Sequence, residues 1–306
     1  MGVTRTDVEL AAERIAGRVR RTPVLPVSAN LSIKLEHHQH AGSFKPRGAF
    51  NRMLAAKELG ELTGQGVVTA SGGNAGMAIA YAARELGVPA RVFVPQTAPA
   101  PKLAKLRGLS ADVVQVGREY AEAFAAAEVD GEQTGALFVH AFDQPEIVAG
   151  QGTIGLELLE QIGAFDTVLV SVGGGGLMAG IAVALGDSAR VIGVEPELCP
   201  TLNRALDAGE PVDVQVGGYA ADSLGARRLG ALAFEAATTY DVGSLLVSED
   251  AIVAARNELW QEFRLVVEHG TAVAYAALTT GVYRPADGER VVLISCGANT
   301  DATTVA

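Results

Sequence analysis

The sequence predicts an α/β fold of two open parallel-sheet domains with helices on both faces, a small domain inserted in a larger one. Three observations carry that expectation. From Val67 onward, short runs rich in Val, Ile and Leu alternate with Ala-rich helical patterns, which is how strands buried on both faces read. The runs fall into two groups along the chain. No Pro/Gly/Ser linker and no repeat of fixed period separates the groups, so one reads as nested within the other across a cleft.

In chain order, the first element is an amphipathic helical pattern near the N-terminus carrying Glu9, Glu13, Arg14 and Arg18. The first strand group covers 67–70, 90–94, 112–116 and 136–139, with helices over about 76–87, 99–108 and 118–131 between them. The second group covers 167–172, 190–194 and 290–295, surrounded by helices at about 147–162, 177–186 and 249–265. The last of these follows Ser248, an N-cap residue, with Glu249 and Asp250 in the first turn. The expected division is a large domain of 1–48 with 143–306, and a small domain of 49–142.

Of the 306 residues, 49% are hydrophobic and 19% charged, enough to bury a sizeable core. With 35 acidic against 24 basic residues the net charge is -11, which disfavours nucleic acid and anionic membrane surfaces as partners. No run approaches the roughly 18 apolar residues of a membrane span, and the N-terminus does not resemble a signal peptide. Cys199 and Cys296 stand far apart in no CxxC or Cys/His spacing, so neither a disulfide framework nor a zinc site is expected. A soluble protein in a reduced, cytoplasmic setting fits these features. GxSxG, HExxH and GxxxxGK[ST] segments are absent, which leaves hydrolase, zincin and P-loop chemistry without residues.

Ligands of α/β sheets bind beyond the carboxyl ends of the strands. Three loops there stand out: Ser71-Gly72-Gly73-Asn74-Ala75-Gly76, Gly173-Gly174-Gly175-Gly176 and Cys296-Gly297-Ala298-Asn299. Four glycines between a buried strand and a helix let backbone N–H groups converge at a positive helix end, which suits a phosphate. A dinucleotide would use Gly174, Gly176 and Gly180 with Glu195 as the ribose acid, but GxGxxG would need glycine at Met178 or Ala179. Lys45 is flanked by Phe44 and Pro46 rather than by charges, and apolar surroundings lower a lysine pKa, as a carbonyl-reactive amine needs. A metal reading of His37, His38 and His40 is disfavoured, because alternate strand residues at 37 and 38 would point to opposite faces. Cys199 reads as a loop or core thiol. Trp260, at helical spacing with Leu259, Phe263 and Val267, reads as core packing.

Five segments, in order and spanning nearly the whole chain, carry a resemblance. Ser43-Phe44-Lys45-Pro46-Arg47-Gly48-Ala49, Ser71-Gly72-Gly73-Asn74, the tetraglycine loop, Val194-Glu195-Pro196 and Cys296-Gly297-Ala298-Asn299-Thr300 resemble the pyridoxal-phosphate-dependent serine/threonine dehydratase family, with its tryptophan synthase β-like fold. The resemblance implies pyridoxal 5'-phosphate as cofactor and a homodimer. It implies that Lys45 holds the cofactor covalently and serves as the base at Cα, that Phe44 borders the ring, and that Asn74 bonds its 3′-oxygen. Gly173, Gly174, Gly175 and Gly176 would bind the phosphate, and Cys296 would be the neutral partner of the pyridine nitrogen. Ser71, Gly72 and Asn74 would receive the substrate carboxylate, and the cofactor phosphate would protonate the departing hydroxide.

Departures are local. Ala75 and Met77 stand where many relatives carry His and Gln; His269, Thr271 and Ala298 replace a frequent Pro, Gly and Gly; and the segment from Val24 to Ile33 is short. Glu195 has an acidic counterpart in metal-dependent relatives, but Thr201 takes the place of its partner, so no metal is expected. The sequence ends about ten residues after Cys296, and no isoleucine-binding regulatory domain is expected. The expected activity is β-elimination of L-threonine or L-serine to 2-oxobutyrate or pyruvate plus ammonia. Serine racemase or another hydroxy-amino-acid dehydratase is the alternative within the fold. A dinucleotide-dependent oxidoreductase or a non-catalytic ligand-binding protein stands further off.

Overall fold

The computed structural model describes residues 2–305. The chain runs α1 (Arg5–Ile15), β1 (Val24–Pro26), β2 (Leu31–Lys34), α2 (Pro46–Glu58), β3 (Val67–Ala70), α3 (Asn74–Leu86), β4 (Ala90–Val94), α4 (Ala100–Gly108), β5 (Asp112–Gln115), α5 (Tyr120–Thr134) and β6 (Leu137–Phe138). It continues through α6 (Pro145–Ile162), β7 (Thr167–Ser171), α7 (Gly176–Leu185), β8 (Arg190–Pro196), α8 (Thr201–Ala208), α9 (Ala221–Leu224), α10 (Ala231–Thr239), β9 (Gly243–Val247), α11 (Glu249–Phe263), α12 (His269–Thr279) and β10 (Val291–Ile294).

Two sheets result. The larger has the order β1-β2-β10-β7-β8-β9 and the smaller β5-β4-β3-β6, and the smaller lies entirely between β2 and β7 in sequence. Every pairing is parallel except β1 with β2, an antiparallel hairpin in the register Leu25↔Ile33. Alternation sorts the strand side chains to two faces. Val168, Val170 and Val172 join α1, α6 and α7 in one core, while Leu169, Leu293 and Val194 join α11 and α12 in the other. The smaller sheet packs Val67 and Leu137 toward α2 and α3, and Val68 and Ala70 toward α5.

Local chemistry fixes the ends of the helices. Thr4 and Asp7 form a capping box on α1, and Ser248 accepts from the amide of Ala251 at the start of α11. Gly180 is a packing residue, not part of a nucleotide fingerprint: a Cβ there would lie 2.3 Å from the Val148 carbonyl oxygen, so its absence lets α7 lie directly on α6.

Three sequence expectations change. Residues 36–38 form a single 3₁₀ turn rather than a strand, and Nδ1 of His37 lies 2.6 Å from the Ser295 hydroxyl, while His40 stacks on Tyr81. The rings of His37 and His38 therefore lie side by side, 4.2 Å between centroids, instead of on opposite faces, and only His40 turns away. Trp260 is only half-buried, under the guanidinium of Arg264, because α11 ends at Phe263 and the left-handed Arg264 (φ 58) turns Val267 off that face. Glu195 binds no ribose: its carboxylate accepts the amides of Leu202 (2.7 Å) and Asn203 (2.9 Å) and caps α8.

A buried ion cluster fixes the start of α2, the helix that packs on the smaller sheet, to the exit of β2 and to α6. Arg47, in the first turn of α2, donates to both oxygens of Glu36 (2.8 Å each) and to Glu157 of α6 (2.7 and 3.0 Å). Lys34, at the end of β2, donates to the same Glu157 (2.6 Å), to Gln161 (2.8 Å) and to the Thr22 carbonyl (2.9 Å). Two cations and two carboxylates balance, and Lys34, Glu36 and Arg47 are fully buried. Removing one partner strands the opposite charge out of water, so Glu36→Gln should cost about 3–5 kcal/mol, read as a lowered urea midpoint. Glu160→Gln, which breaks only the exposed pair with Arg21, should cost under about 1 kcal/mol. Equal midpoints for the two variants would show that the cluster does not anchor the fold.

Candidate active site

Lys45 is the residue just before α2, and its loop is fastened to the end of β10. The Phe44 amide donates to the Cys296 carbonyl (3.0 Å), and Ser43 bridges Gly297. The Lys45 amine donates to the Ala141 carbonyl (3.3 Å) and lies 4.9 Å from the centroid of the Phe44 ring. Burial pushes its pKa down from 10.5 to about 8, with Cys296 and Glu268 opposing the shift only in part.

The side chain opens onto a cavity of about 900 Å³ between the two sheets. The structure brings Phe44, Lys45, Ser71, Gly72, Asn74, Gly173, Gly174, Gly175, Gly176 and Cys296 together in its lining. α3 and α7 both start in this wall, and neither has a side-chain cap, so their first N–H groups remain free for an anion. Space dictates the glycines. A Cβ on Gly174 would lie 2.4 Å from the Phe142 ring, one on Gly173 2.9 Å from Leu224 Cα, and Gly175 has φ +86. Behind Ser71, a Cβ on Gly76 would sit 1.9 Å from the Ser71 carbonyl oxygen, so only glycine lets α3 close on that loop.

Cys296 is held as a neutral thiol. Burial raises its pKa to about 12, opposed by the Thr271 hydroxyl 3.2 Å from the sulfur. Thr271 also donates to the Gly297 carbonyl (2.8 Å) and accepts the Gly297 amide (2.9 Å), fixing the turn after β10. The glycine-to-threonine departure thus supplies a hydroxyl at the sulfur.

Several lining or supporting residues have no signal in the sequence. The Asn74 amide donates to both oxygens of Glu268 (3.0 and 2.9 Å), and its carbonyl oxygen accepts from Asn299 (2.8 Å). Glu268 is buried, which raises its pKa against the hydrogen bonds from Asn74 and the Asn299 amide. His140 and Phe142 form part of the wall on either side of Ala141, whose carbonyl holds the Lys45 amine. At the mouth, Lys102 of α4 pairs with Asp222 of α9, and Glu119 before α5 lies 3.8 Å from Arg227.

The residues fit a phosphorylated pyridine aldehyde: an enclosed amine of low pKa, a glycine cradle ending in free helix N–H groups, and a neutral thiol that cannot form a salt bridge with a ring nitrogen. Comparisons with known proteins agree. The model of the pyridoxal-phosphate dependent enzyme family matches residues 15–297. The L-threonine ammonia-lyase of Geobacter sulfurreducens is 39% identical over 310 residues, 98% of this chain and 76% of that protein. The phenylserine dehydratase of Ralstonia pickettii is 37% identical, over 96% of this chain and 92% of that protein. Among solved structures, maize serine racemase superposes with a TM-score of 0.92 at 30% identity, covering 100% of this chain and 96% of that one. A family model that spans the lysine loop, the tetraglycine turn and the Cys296 strand leaves one conclusion: the chain belongs to the pyridoxal-phosphate-dependent enzyme family.

Proposed function

We propose that the protein removes water and then ammonia from L-threonine or L-serine, releasing 2-oxobutyrate or pyruvate. The observation that carries this reading is an enclosed amine facing a cavity in which the loop after β3 has a glycine at position 72. Lys45 offers an amine whose pKa burial brings down to about 8, while position 72 has no side chain. Relatives by sequence named for threonine and phenylserine elimination support the same reading.

In this proposal Lys45 carries the cofactor, Gly173 to Gly176 and the start of α7 hold its phosphate, Phe44 borders its ring, Asn74 faces its 3′-oxygen and Cys296 meets its ring nitrogen. Once bound, the cofactor supplies an electron sink for Cα. The loop from Ser71 to Asn74 takes the substrate carboxylate on free amides at the start of α3. Lys45 then removes the Cα proton, and its position in the cavity wall keeps the amine beside the reacting atoms. Because Cys296 is neutral, it does not hold a proton on the ring nitrogen, and loss of the β-hydroxyl competes well with reprotonation. The division into 1–48 with 143–306 and 49–142, a cytoplasmic setting and a homodimer belong to the same proposal. Two buried, unpaired cysteines are compatible with a reducing setting, and among the described residues no helix is long and apolar enough to cross a membrane.

Racemisation is the competing reaction, and it needs a proton donor opposite Lys45. Following keto acid, ammonia and D-serine together should show keto acid formed faster from L-serine and L-threonine, and D-serine formed faster than pyruvate would overturn the reading. Lys45→Ala should lower turnover by about 10²- to 10⁴-fold. A Cβ on Gly72 would meet only Val94, at 3.5 Å, so Gly72→Ser should fold normally and gain racemase activity.

The lysine can be tested without the cofactor. In the cofactor-free protein, arylation of Lys45 by fluorodinitrobenzene, mapped by peptide analysis, should rise through a midpoint of about pH 8, because only the unprotonated amine reacts. A midpoint at the ordinary 10.5 would show that the amine is not desolvated.

A further inference from the structure

His140 has no part in the mechanism above, yet its ring lines the cavity that holds Lys45. Its Nδ1 accepts two backbone amides, those of Phe142 (3.2 Å) and Asp143 (2.8 Å), so that nitrogen carries no proton. The proton of the neutral ring is therefore on Nε2, the opposite edge. Phe124 and Phe142 meet the ring edge-to-face at 5.6 and 4.7 Å and keep it from turning. Among the described residues Nε2 has no hydrogen-bond partner, and it is not among the sealed, unpaired polar atoms, so it opens to the cavity. Burial and the nearby Lys45 both lower the pKa of the ring, against Asp143, which keeps it neutral.

The sheet places this donor. β6 pairs with β3 in the register Val68↔Phe138, and Thr69 donates to the Val139 carbonyl (2.8 Å), so residues 140–141 run beside 70–71. Neighbouring strands lie about 4.8 Å apart. A substrate whose carboxylate rests on the loop after Ser71 therefore brings its β-substituent within reach of the next strand end. There, the Ala141 carbonyl already holds the Lys45 amine.

Resting on the elimination reading above, we propose that the Nε2–H of His140 is a fixed hydrogen-bond donor to the β-hydroxyl of the substrate, selecting hydroxy-amino acids and stabilising the hydroxyl as it leaves. In the step, one proton passes from Cα to the Lys45 amine. The Cβ–O bond breaks with its electron pair going to oxygen, the Lys45 ammonium passes the proton it took from Cα to that oxygen, and water departs. His140 keeps its own proton and offsets the charge that builds on the oxygen.

His140→Asn separates this role from support of the loop, since the asparagine oxygen can accept the Phe142 and Asp143 amides but leaves no donor at the Nε2 position. With the holoenzyme, kcat/KM for L-serine and L-threonine should fall about 10- to 100-fold, the worth of one hydrogen bond to a charged oxygen. That for β-chloro-L-alanine, whose chloride leaves without a donor, should stay within about twofold. An equal fall for all three substrates, or no fall for any, would overturn the proposal. Wild-type enzyme that releases no keto acid from serine or threonine would instead sink the elimination reading itself. A second measurement needs no variant. In ¹⁵N-labelled wild-type holoenzyme, the Nε2 resonance of His140 should shift with α-methyl-L-serine, which lacks a Cα proton, and stay in place with 2-aminoisobutyrate, which lacks only the hydroxyl in addition. Equal shifts with both ligands would overturn the assignment.

Discussion

The contact on which the rest of this structure depends is the buried guanidinium of Arg47 between Glu36 and Glu157. It lies two residues after Lys45, on the first turn of the helix that packs against the smaller sheet, and its partners belong to the strand exit of β2 and to α6. Desolvating four charged groups is expensive, and the cluster is tolerable only because the bidentate geometry and the added bonds to Thr153 and the Arg20 carbonyl satisfy the fork. The return is positional. A lysine whose amine must be enclosed cannot itself be held by charges, so the charges are placed two residues on and the backbone carries the constraint to it.

The same separation governs protonation across the site. Lys45, Cys296 and His140 are all pushed toward their neutral forms, and burial is the leading cause each time. Neutral groups suit a site that must bind an anionic cofactor and a zwitterionic substrate without locking either into an ion pair. The formal charges that remain close by, such as Glu268, are occupied by Asn74 and the Asn299 amide.

Legibility in the sequence follows sequence distance and burial. β3 and β7 are buried along their whole length, β4 at every position but Arg91, and all three read as mostly apolar runs. β1 and β9 lie at the two sheet edges, one ending in Pro26 and the other starting at Gly243, so they lack that pattern, and β2 hides in a half-polar segment. At the site, the lysine loop and the glycine turns are local motifs and stand out. The Asn74–Glu268 pair spans 194 residues, and the Thr271–Cys296 contact joins a helix to the turn after a strand, so only the folded chain shows them. His140 was silent for a related reason: what defines it is two backbone amides on one ring nitrogen, and no residue pattern encodes that.

The two ion pairs at the mouth, Lys102 with Asp222 and Glu119 with Arg227, are the counterpart of the buried cluster. Both link the smaller unit to the larger one, and three of the four side chains are about two-thirds or more exposed. Pairs of this kind contribute no more than about 1 kcal/mol each, little more than thermal energy. One side of the cleft is therefore held by a solvent-free cluster beside Lys45, while the other is fastened by contacts that water and salt can weaken. Added salt therefore weakens the fastening at the mouth while leaving the one beside the cofactor lysine in place.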